Sequence, residues 1–300
     1  MSNLNCMNEG TPRGLIWYRQ SCAYDAVITP IYNLWVEACK KWSEEFNMLI
    51  ADYLGTLAAN FSLYKGIHQE LEKCCKIMQQ HLVRDWPNDF MIYDETCLYT
   101  LLLKLFKSPS IVSSLVNICL AGHQSDQSVA PSTSWLTCVL DDYHSLQDFV
   151  HRNKTEVSLV CCICHGPQIR KSMFNHLPPL LVFDLSHHPE VAIDHHLVVT
   201  SINQNSAHYR LKGIIYYNDH HFTSCFILCR GVIWFHNGPL TCYGTASCLI
   251  SSRLINHASP ILSNELSNTY LISVWLLWNS SLFNLLHFII VWFCGHYYKV

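Results

Sequence analysis

The spacing of apolar residues changes once along the chain, and this change limits the folds open to it. In the first 120 residues the apolar positions recur at helical spacing, in Ala23–Trp35, Val36–Phe61, His68–Arg84 and Thr96–Phe106. Beyond residue 135 they fall into short β-branched or aromatic runs separated by polar residues, a pattern typical of antiparallel strands. Helices followed by strands predict an α+β protein whose two lobes meet at a cleft.

The same pattern divides the chain into segments. We expect residues 1–13 to be a disordered lead-in and residues 14–244 to form one folded domain. Within that domain we predict a helical lobe over about residues 14–121 and a β lobe over about residues 135–244. Gly122–Ser134, rich in Ser, Gln and Asp, reads as the loop or linker between them.

The tail, residues 245–300, has an unusual composition. No charged residue occurs from Leu266 to Tyr298, and Leu271–Cys294 is apolar enough to suggest a membrane-spanning segment, although asparagines and serines interrupt it. Three interpretations stay open: a C-terminal membrane anchor, a buried or aggregation-prone extension, and sequence that is not native coding. The status of the tail is therefore uncertain.

Composition excludes some classes of function. The formal charge is −3 and no dense run of Lys and Arg appears, so we expect no nucleic-acid partner. Because Met1–Pro12 is polar and does not look like a secretory signal, we interpret the 16 cysteines as reduced thiols, metal ligands or core residues rather than disulfides. We therefore expect a cytoplasmic or nuclear protein, membrane-associated if the tail is an anchor.

Three polar residues stand in an order used by cysteine peptidases. Cys22 begins an apolar helical run, His221 lies in a strand-like stretch, and Asn237 follows 16 residues later, so an antiparallel pair can bring the last two side by side. A helix N-terminus and a nearby imidazolium lower the pKa of a thiol, and we expect both at Cys22. The alternative is that Cys22 is merely one of 16 cysteines and is buried in the core; in addition, the neighbouring His220 could take the role of general base in place of His221.

A second cysteine pattern suggests a metal. Cys161 and Cys164 have the spacing of half a tetrahedral zinc site, but the sequence has no second C-x-x-C. The other two ligands could come from the following residues: His165, Cys138, His144 and His151. Buried thiols without a metal are the alternative.

Four blocks of sequence, taken together, point to a known family. They lie around Cys22, at Cys161–Cys164, at Leu177–Leu185 and over Tyr209–Asn237, and they cover roughly residues 13 to 240. The first contains Gln20-Ser21-Cys22-Ala23-Tyr24, and the last contains His221-Phe222-Thr223 and Trp234-Phe235-His236-Asn237. In this order the blocks resemble a divergent ubiquitin-specific protease. A weaker similarity connects the sequence to peptidase-like reading frames of fungal mobile elements.

The resemblance implies a papain-like cysteine peptidase fold, with Cys22 on a helical lobe and His221 and Asn237 on a sheet lobe. It implies hydrolysis of peptide or isopeptide bonds at the C-terminus of ubiquitin or a ubiquitin-like protein, which would be the partner. It requires no cofactor beyond a candidate structural zinc. A further partner, the membrane, depends on residues 271–294.

The chain departs from the family at the oxyanion hole. In the family an asparagine stands five residues before the nucleophile, and this position is occupied by Trp17 here. We therefore predict that Gln20 and the Cys22 backbone N–H donate the hydrogen bonds to the oxyanion instead. Asn237 stands where aspartate is commoner, and asparagine can orient an imidazole without charge. Two alternatives stay open: a catalytically inactive ubiquitin-binding relative, and a membrane-anchored protein whose Cys and His pattern is accidental.

Overall fold

The secondary structure follows the predicted order of helices before strands. The structure, a computed structural model, describes residues 12–16, 21–47, 53–65, 70–91, 94–138, 144–152, 154–186, 191–218, 221–228, 232–237, 247–249 and 287–297. The helices are α1 (Cys22–Glu37), α2 (Cys39–Asn47), α3 (Tyr53–Tyr64), α4 (Glu70–Asp85), α5 (Leu98–Leu105) and α6 (Leu146–Arg152). The strands are β1 (Ser113–Cys119), β2 (Gln124–Ser132), β3 (Leu136–Cys138), β4 (Lys154–Val160), β5 (Pro167–Phe174), β6 (Leu180–Asp184), β7 (His196–Thr200), β8 (Ser206–Asn218), β9 (His221–Ile227), β10 (Ile233–His236), β11 (Ser247–Leu249) and β12 (His287–Tyr297).

The strands form two sheets. A four-stranded antiparallel sheet has the order β2-β1-β5-β4. The larger sheet has the order β11-β10-β9-β8-β12-β6-β3, and β7 also pairs with β8. Its pairs are antiparallel except β3 with β6. The mixed α+β architecture is thus the predicted one.

Helix α1 lies at the centre of the helical lobe. Every residue from Ala23 to Trp35 is buried, and the helix packs on β8 and β9 as well as on α2, α4 and α5. A helix that is apolar around most of its circumference is stable only in such an interior position. Pro30 lies within α1. Cys22 is therefore the first residue of a helix that packs against other helices and against the larger sheet.

The larger sheet separates two hydrophobic cores. In β6, Leu180 and Val182 join the core that contains α1, whereas Leu181 and Phe183 join the core on the opposite face with α6. Successive side chains of a strand point to opposite faces, so the continuous apolar run of β6 serves both cores. The sheet therefore packs against a core on each face, and β9 is one of its inner strands.

The helical lobe ends earlier than the sequence pattern predicts. The last of its helices, α5, ends at Leu105, and strand β1 lies within the range of about 14–121 predicted for the helical lobe. The expected linker at 122–134 contains β2, which pairs with β1 at the edge of the four-stranded sheet. Both boundaries differ from the predicted ones because β1 is held by backbone pairing with β2 on one side and with β5 on the other, and the edge strand β2 needs no apolar pattern to pair.

The segment assigned to the tail contributes to the larger sheet. Strand β12 lies beyond residue 244 and pairs with both β8 and β6. Residues 271–286 of the candidate membrane segment lie outside the described residues, and residues 287–294 are strand, not helix. Among the helices that the structure describes, none combines the length and the apolar character that a membrane crossing requires.

Candidate active site

Cys22 occupies the N-terminus of α1, as predicted. Ser21 precedes the helix, and its carbonyl oxygen accepts the first helical hydrogen bond from the Asp25 N–H at 2.9 Å. The thiol is half-buried where α1 packs against β9, and the backbone N–H groups of Phe222 and Ala23 interact with it. Phe222 directly follows His221, so the thiol of the nucleophile candidate lies against the backbone of the residue next to the candidate base.

The electrostatic environment of Cys22 differs from the expected one. Burial is the largest influence and raises the pKa of the thiol above its ordinary value, and Asp25 acts in the same direction. The Phe222 N–H and the free N–H groups at the helix start oppose this shift but are outweighed. The start of the helix acts on the thiol in the expected direction, but desolvation exceeds its effect, so the net shift is upward.

His221 and Asn237 are in contact. The His221 Nε2 lies 3.0 Å from the Asn237 Oδ1. An amide oxygen only accepts hydrogen bonds, so Nε2 carries the hydrogen and Nδ1 remains the basic nitrogen. Burial lowers the pKa of His221, and the bond to Asn237 partly offsets this. A neutral imidazole of defined tautomer results, which is the form that a general base needs.

A second histidine, His236, packs beside this pair. It is 1% exposed, it immediately precedes Asn237, and burial lowers its pKa to about 4, with His221 adding to the shift. Its ring lies against Gly14 so closely that a Cβ at position 14 would stand 2.5 Å from its Cε1 and nearer still to its Nδ1. Only glycine fits there.

Residues Pro12–Ile16, here called the approach segment, lead toward Cys22 and are tied to the helical lobe. The Arg13 guanidinium pairs with the buried Glu70 at 2.7 Å, and the Leu15 N–H donates to Thr29 Oγ1 at 3.2 Å. Pro12 and Arg13, assigned to the disordered lead-in from sequence, are thus part of the ordered structure. Residues 17–20, including Trp17 and the predicted oxyanion donor Gln20, lie outside the described residues.

The four-stranded sheet ends in a group of potential metal ligands. Cys119 at the end of β1, His123 in the β1–β2 turn, and Cys161 and Cys164 in the β4–β5 turn place one ligand atom each within 4.8 Å of the others. Cys119 Sγ lies 3.2 Å from Cys164 Sγ, and Cys161 Sγ lies 3.7 Å from His123 Nδ1. Ligands of a tetrahedral zinc site are about 3.5–4 Å apart, and three thiols with one imidazole form a common structural zinc set.

The backbone prepares one of these thiols for a cation. The Cys164 and Ile163 N–H groups lower the pKa of Cys161 to about 6, which favours the thiolate that metal binding requires. Cys161 and Cys164 were predicted as ligands, but the four residues proposed to complete the site are not part of the group. Cys119 and His123 take those places. Their C-x₃-H spacing across a turn that contains Gly122, at φ 85°, is the signal that sequence analysis missed.

The architecture matches solved structures of SAGA deubiquitinase modules. A SAGA deubiquitinase module, Ubp8/Sgf11/Sus1/Sgf73 bound to monoubiquitin, aligns over 95% of this chain and 70% of the matched chain, with TM-score 0.54 and 10% identity. The same module bound to ubiquitin aldehyde gives 0.55 at 9% identity, with the same coverage. A yeast SAGA module gives 0.51 at 12% identity, over 95% of this chain and 69% of the other. The chain has the papain-like cysteine peptidase fold.

This likeness is one of fold, since the sequences are 9–12% identical. No protein-family model and no curated protein matches the sequence. None of the comparisons supports an origin in a fungal mobile element.

Proposed function

We propose that this protein is a thiol-dependent hydrolase that cleaves peptide or isopeptide bonds at the C-terminus of ubiquitin or a ubiquitin-like protein. The observation that carries the proposal is the contact of Cys22, at the start of α1, with β9, the strand that begins with His221, whose ring lies 3.0 Å from Asn237 after β10. The fold neighbours add support, because they are deubiquitinase modules solved with ubiquitin or ubiquitin aldehyde.

The chemistry assigned to these residues is acyl transfer. Cys22 Sγ attacks the carbonyl carbon, and its proton passes to His221 Nδ1. The oxyanion that forms accepts hydrogen bonds from the Cys22 N–H and from Gln20. His221 then gives its proton to the leaving amine, and water, deprotonated by His221, releases the acyl group from the sulfur. Asn237 holds the imidazole in the required tautomer throughout.

In this proposal the metal is structural. Cys119, His123, Cys161 and Cys164 hold zinc and join the β1–β2 turn to the β4–β5 turn. When bound, the ion supplies a cross-link between two turns rather than a reactive centre, because all four positions are filled by protein ligands. Reduced thiols at both sites fit a cytoplasmic or nuclear location, which is part of the proposal.

An electrophilic probe tests the function directly. Ubiquitin vinyl sulfone, incubated with the full chain, should form a covalent adduct that is lost in Cys22→Ala and strongly reduced in His221→Ala. Cys97→Ala, which removes an exposed cysteine elsewhere, serves as the matched control and should label like the wild type. Labelling that survives in Cys22→Ala would contradict the assignment of the nucleophile.

One observation favours a second candidate, an inactive relative that binds ubiquitin. Burial raises the pKa of Cys22, so the thiolate is scarce in the free protein. Tight ubiquitin binding without any labelling at neutral or alkaline pH would support this alternative and reject the hydrolase. Labelling that depends on Cys22 and His221 would reject the alternative.

A further inference from the structure

Asp25 has a buried carboxyl that the hydrolytic steps above do not use. It lies three residues after Cys22 in the first turn of α1 and is 2% exposed. Its Oδ2 accepts a hydrogen bond from Ser21 Oγ at 2.8 Å, whereas its Oδ1 is buried with no hydrogen-bond partner within the part of the chain that the structure describes. A carboxylate buried with one hydrogen bond is poorly compensated for the loss of water.

The groups that face Asp25 make its ionised form still less favourable. They are Cys22 on its own helix and Glu72 and Cys75 on α4, and all of them are neutral or negative. None of the ion pairs among the described residues includes Asp25. Burial raises the pKa of Asp25 to about 8 and Glu72 acts in the same direction, while the Ser21 hydroxyl opposes the shift.

We propose that Asp25 is a positioning residue for Cys22 that works as a neutral carboxylic acid. As the acid it still accepts the Ser21 hydrogen bond, which fastens the residue before the nucleophile to the first helical turn. It also leaves the turn that carries Cys22 without a negative charge. When Asp25 ionises in alkaline solution, its charge opposes formation of the Cys22 thiolate. Its effect on hydrolysis rests on the proposed function, but its effect on the thiol does not.

The test measures the thiol without ubiquitin. The full chain is treated with iodoacetamide over a range of pH, and alkylation of the Cys22 peptide is followed by mass spectrometry because the chain has 16 cysteines. The wild-type rate should rise with a shoulder near pH 8, where Asp25 ionises. Asp25→Asn should react at the wild-type rate at about pH 6.5 and at least about tenfold faster at about pH 9.5, because a buried carboxylate one helical turn away repels the thiolate with little screening by water.

Control variants separate charge from structure. Asp94→Asn makes the same chemical change at an exposed site and should leave the alkylation curve unchanged. Ser21→Ala removes a hydrogen bond that lowers the pKa of Asp25, so the shoulder should move to higher pH. If Asp25→Asn does not fold, the shape of the wild-type curve and this second variant decide the question.

The outcomes are distinct. A ratio of Asp25→Asn to wild-type rates that stays constant with pH, or a wild-type curve with a single titration, overturns the proposal, because a purely structural loss acts equally at every pH. A pH-dependent ratio in a protein that never hydrolyses or labels with ubiquitin upholds the role of Asp25 and overturns the proposed function instead.

Discussion

Replacing Gly14 by alanine tests whether the approach segment and the candidate site are one packed unit. The new Cβ would lie 2.5 Å from the Cε1 of His236, about 1 Å inside ordinary carbon contact. The His236 ring is 1% exposed and has little room to retreat. The segment is also held on both sides of Gly14, by the Arg13–Glu70 ion pair and by the Leu15 N–H bond to Thr29.

The magnitude follows from these restraints. Overpacking a well-filled site costs about 1–3 kcal/mol, and we expect Gly14→Ala to lie near ~3 kcal/mol because neither partner can move freely. Part of the strain should displace His236. Asn237 is the next residue, so the displacement should disturb its 3.0 Å contact with His221 and slow labelling by ubiquitin vinyl sulfone.

Urea unfolding measures the free energy of unfolding, and the labelling rate is measured on the same samples under folding conditions. Gly213→Ala is the control, because its Cβ would make ordinary contacts at 3.4 Å to the Cys225 carbonyl oxygen and 3.6 Å to Pro30. A Gly14→Ala protein as stable as the control, with an unchanged labelling rate, would refute the packing argument.

Three further predictions concern the site, the metal and pH. His221→Ala should lower the hydrolysis rate by about 10²–10⁴ through loss of the general base, and Asn237→Ala by a smaller factor since it removes only the orienting bond; equal losses in kcat would contradict these roles. One zinc per chain should be found by metal analysis, and Cys164→Ser should abolish it and lower the melting temperature, whereas the exposed Cys162→Ser should do neither. Because the pKa of Asp25 is about 8 in the folded state and 3.8 ordinarily, the native state holds an extra proton between these values and loses stability as pH rises through them. Asp25→Asn should therefore gain, relative to wild type, up to ~5 kcal/mol between about pH 4 and pH 8.5 in urea unfolding, and a pH-independent difference would count against the shift.

The sequence predicts those parts of the fold in which side-chain burial decides the backbone. Helix α1 and strands β6, β8 and β9 each bury an apolar face or run, so periodicity located them closely. Strands β1 and β2 were missed because backbone pairing stabilises them: β1 pairs with both β2 and β5. Pairing between distant segments leaves little trace in local composition.

Strand β12 shows a second limit of local pattern. Its residues, His287–Tyr297, are mostly apolar, and those up to Cys294 form the end of the candidate membrane segment. A strand covered on both faces has the same continuous apolar run. Only the pairing with β6 and β8 distinguishes the two interpretations. Both partner strands are far from β12 in the sequence: in β6, for example, Leu180 pairs with Phe293.

The candidate site was predicted in part for a similar reason. Cys22, His221 and Asn237 could be chosen because their order is a known one, and the structure places His221 against Asn237. The ligands Cys119 and His123 could not be chosen by proximity in sequence to Cys161, because the two turns meet only through the pairing of β1 with β5. These two ligands were missed because they are far from Cys161 in the sequence, not because of their residue type.

The low charge of the resting site limits the mechanism of any hydrolase built on it. Burial raises the pKa of Cys22 and lowers the pKa of His221, so at neutral pH both groups favour their uncharged forms. A thiolate–imidazolium pair present before substrate binds would need the opposite shifts. The proton must therefore pass from Cys22 to His221 as the carbonyl is attacked, when the oxyanion donors stabilise the new charge. An ionised Asp25 would oppose this proton transfer. Because burial raises the pKa of Asp25 to about 8, its carboxyl is largely uncharged at neutral pH.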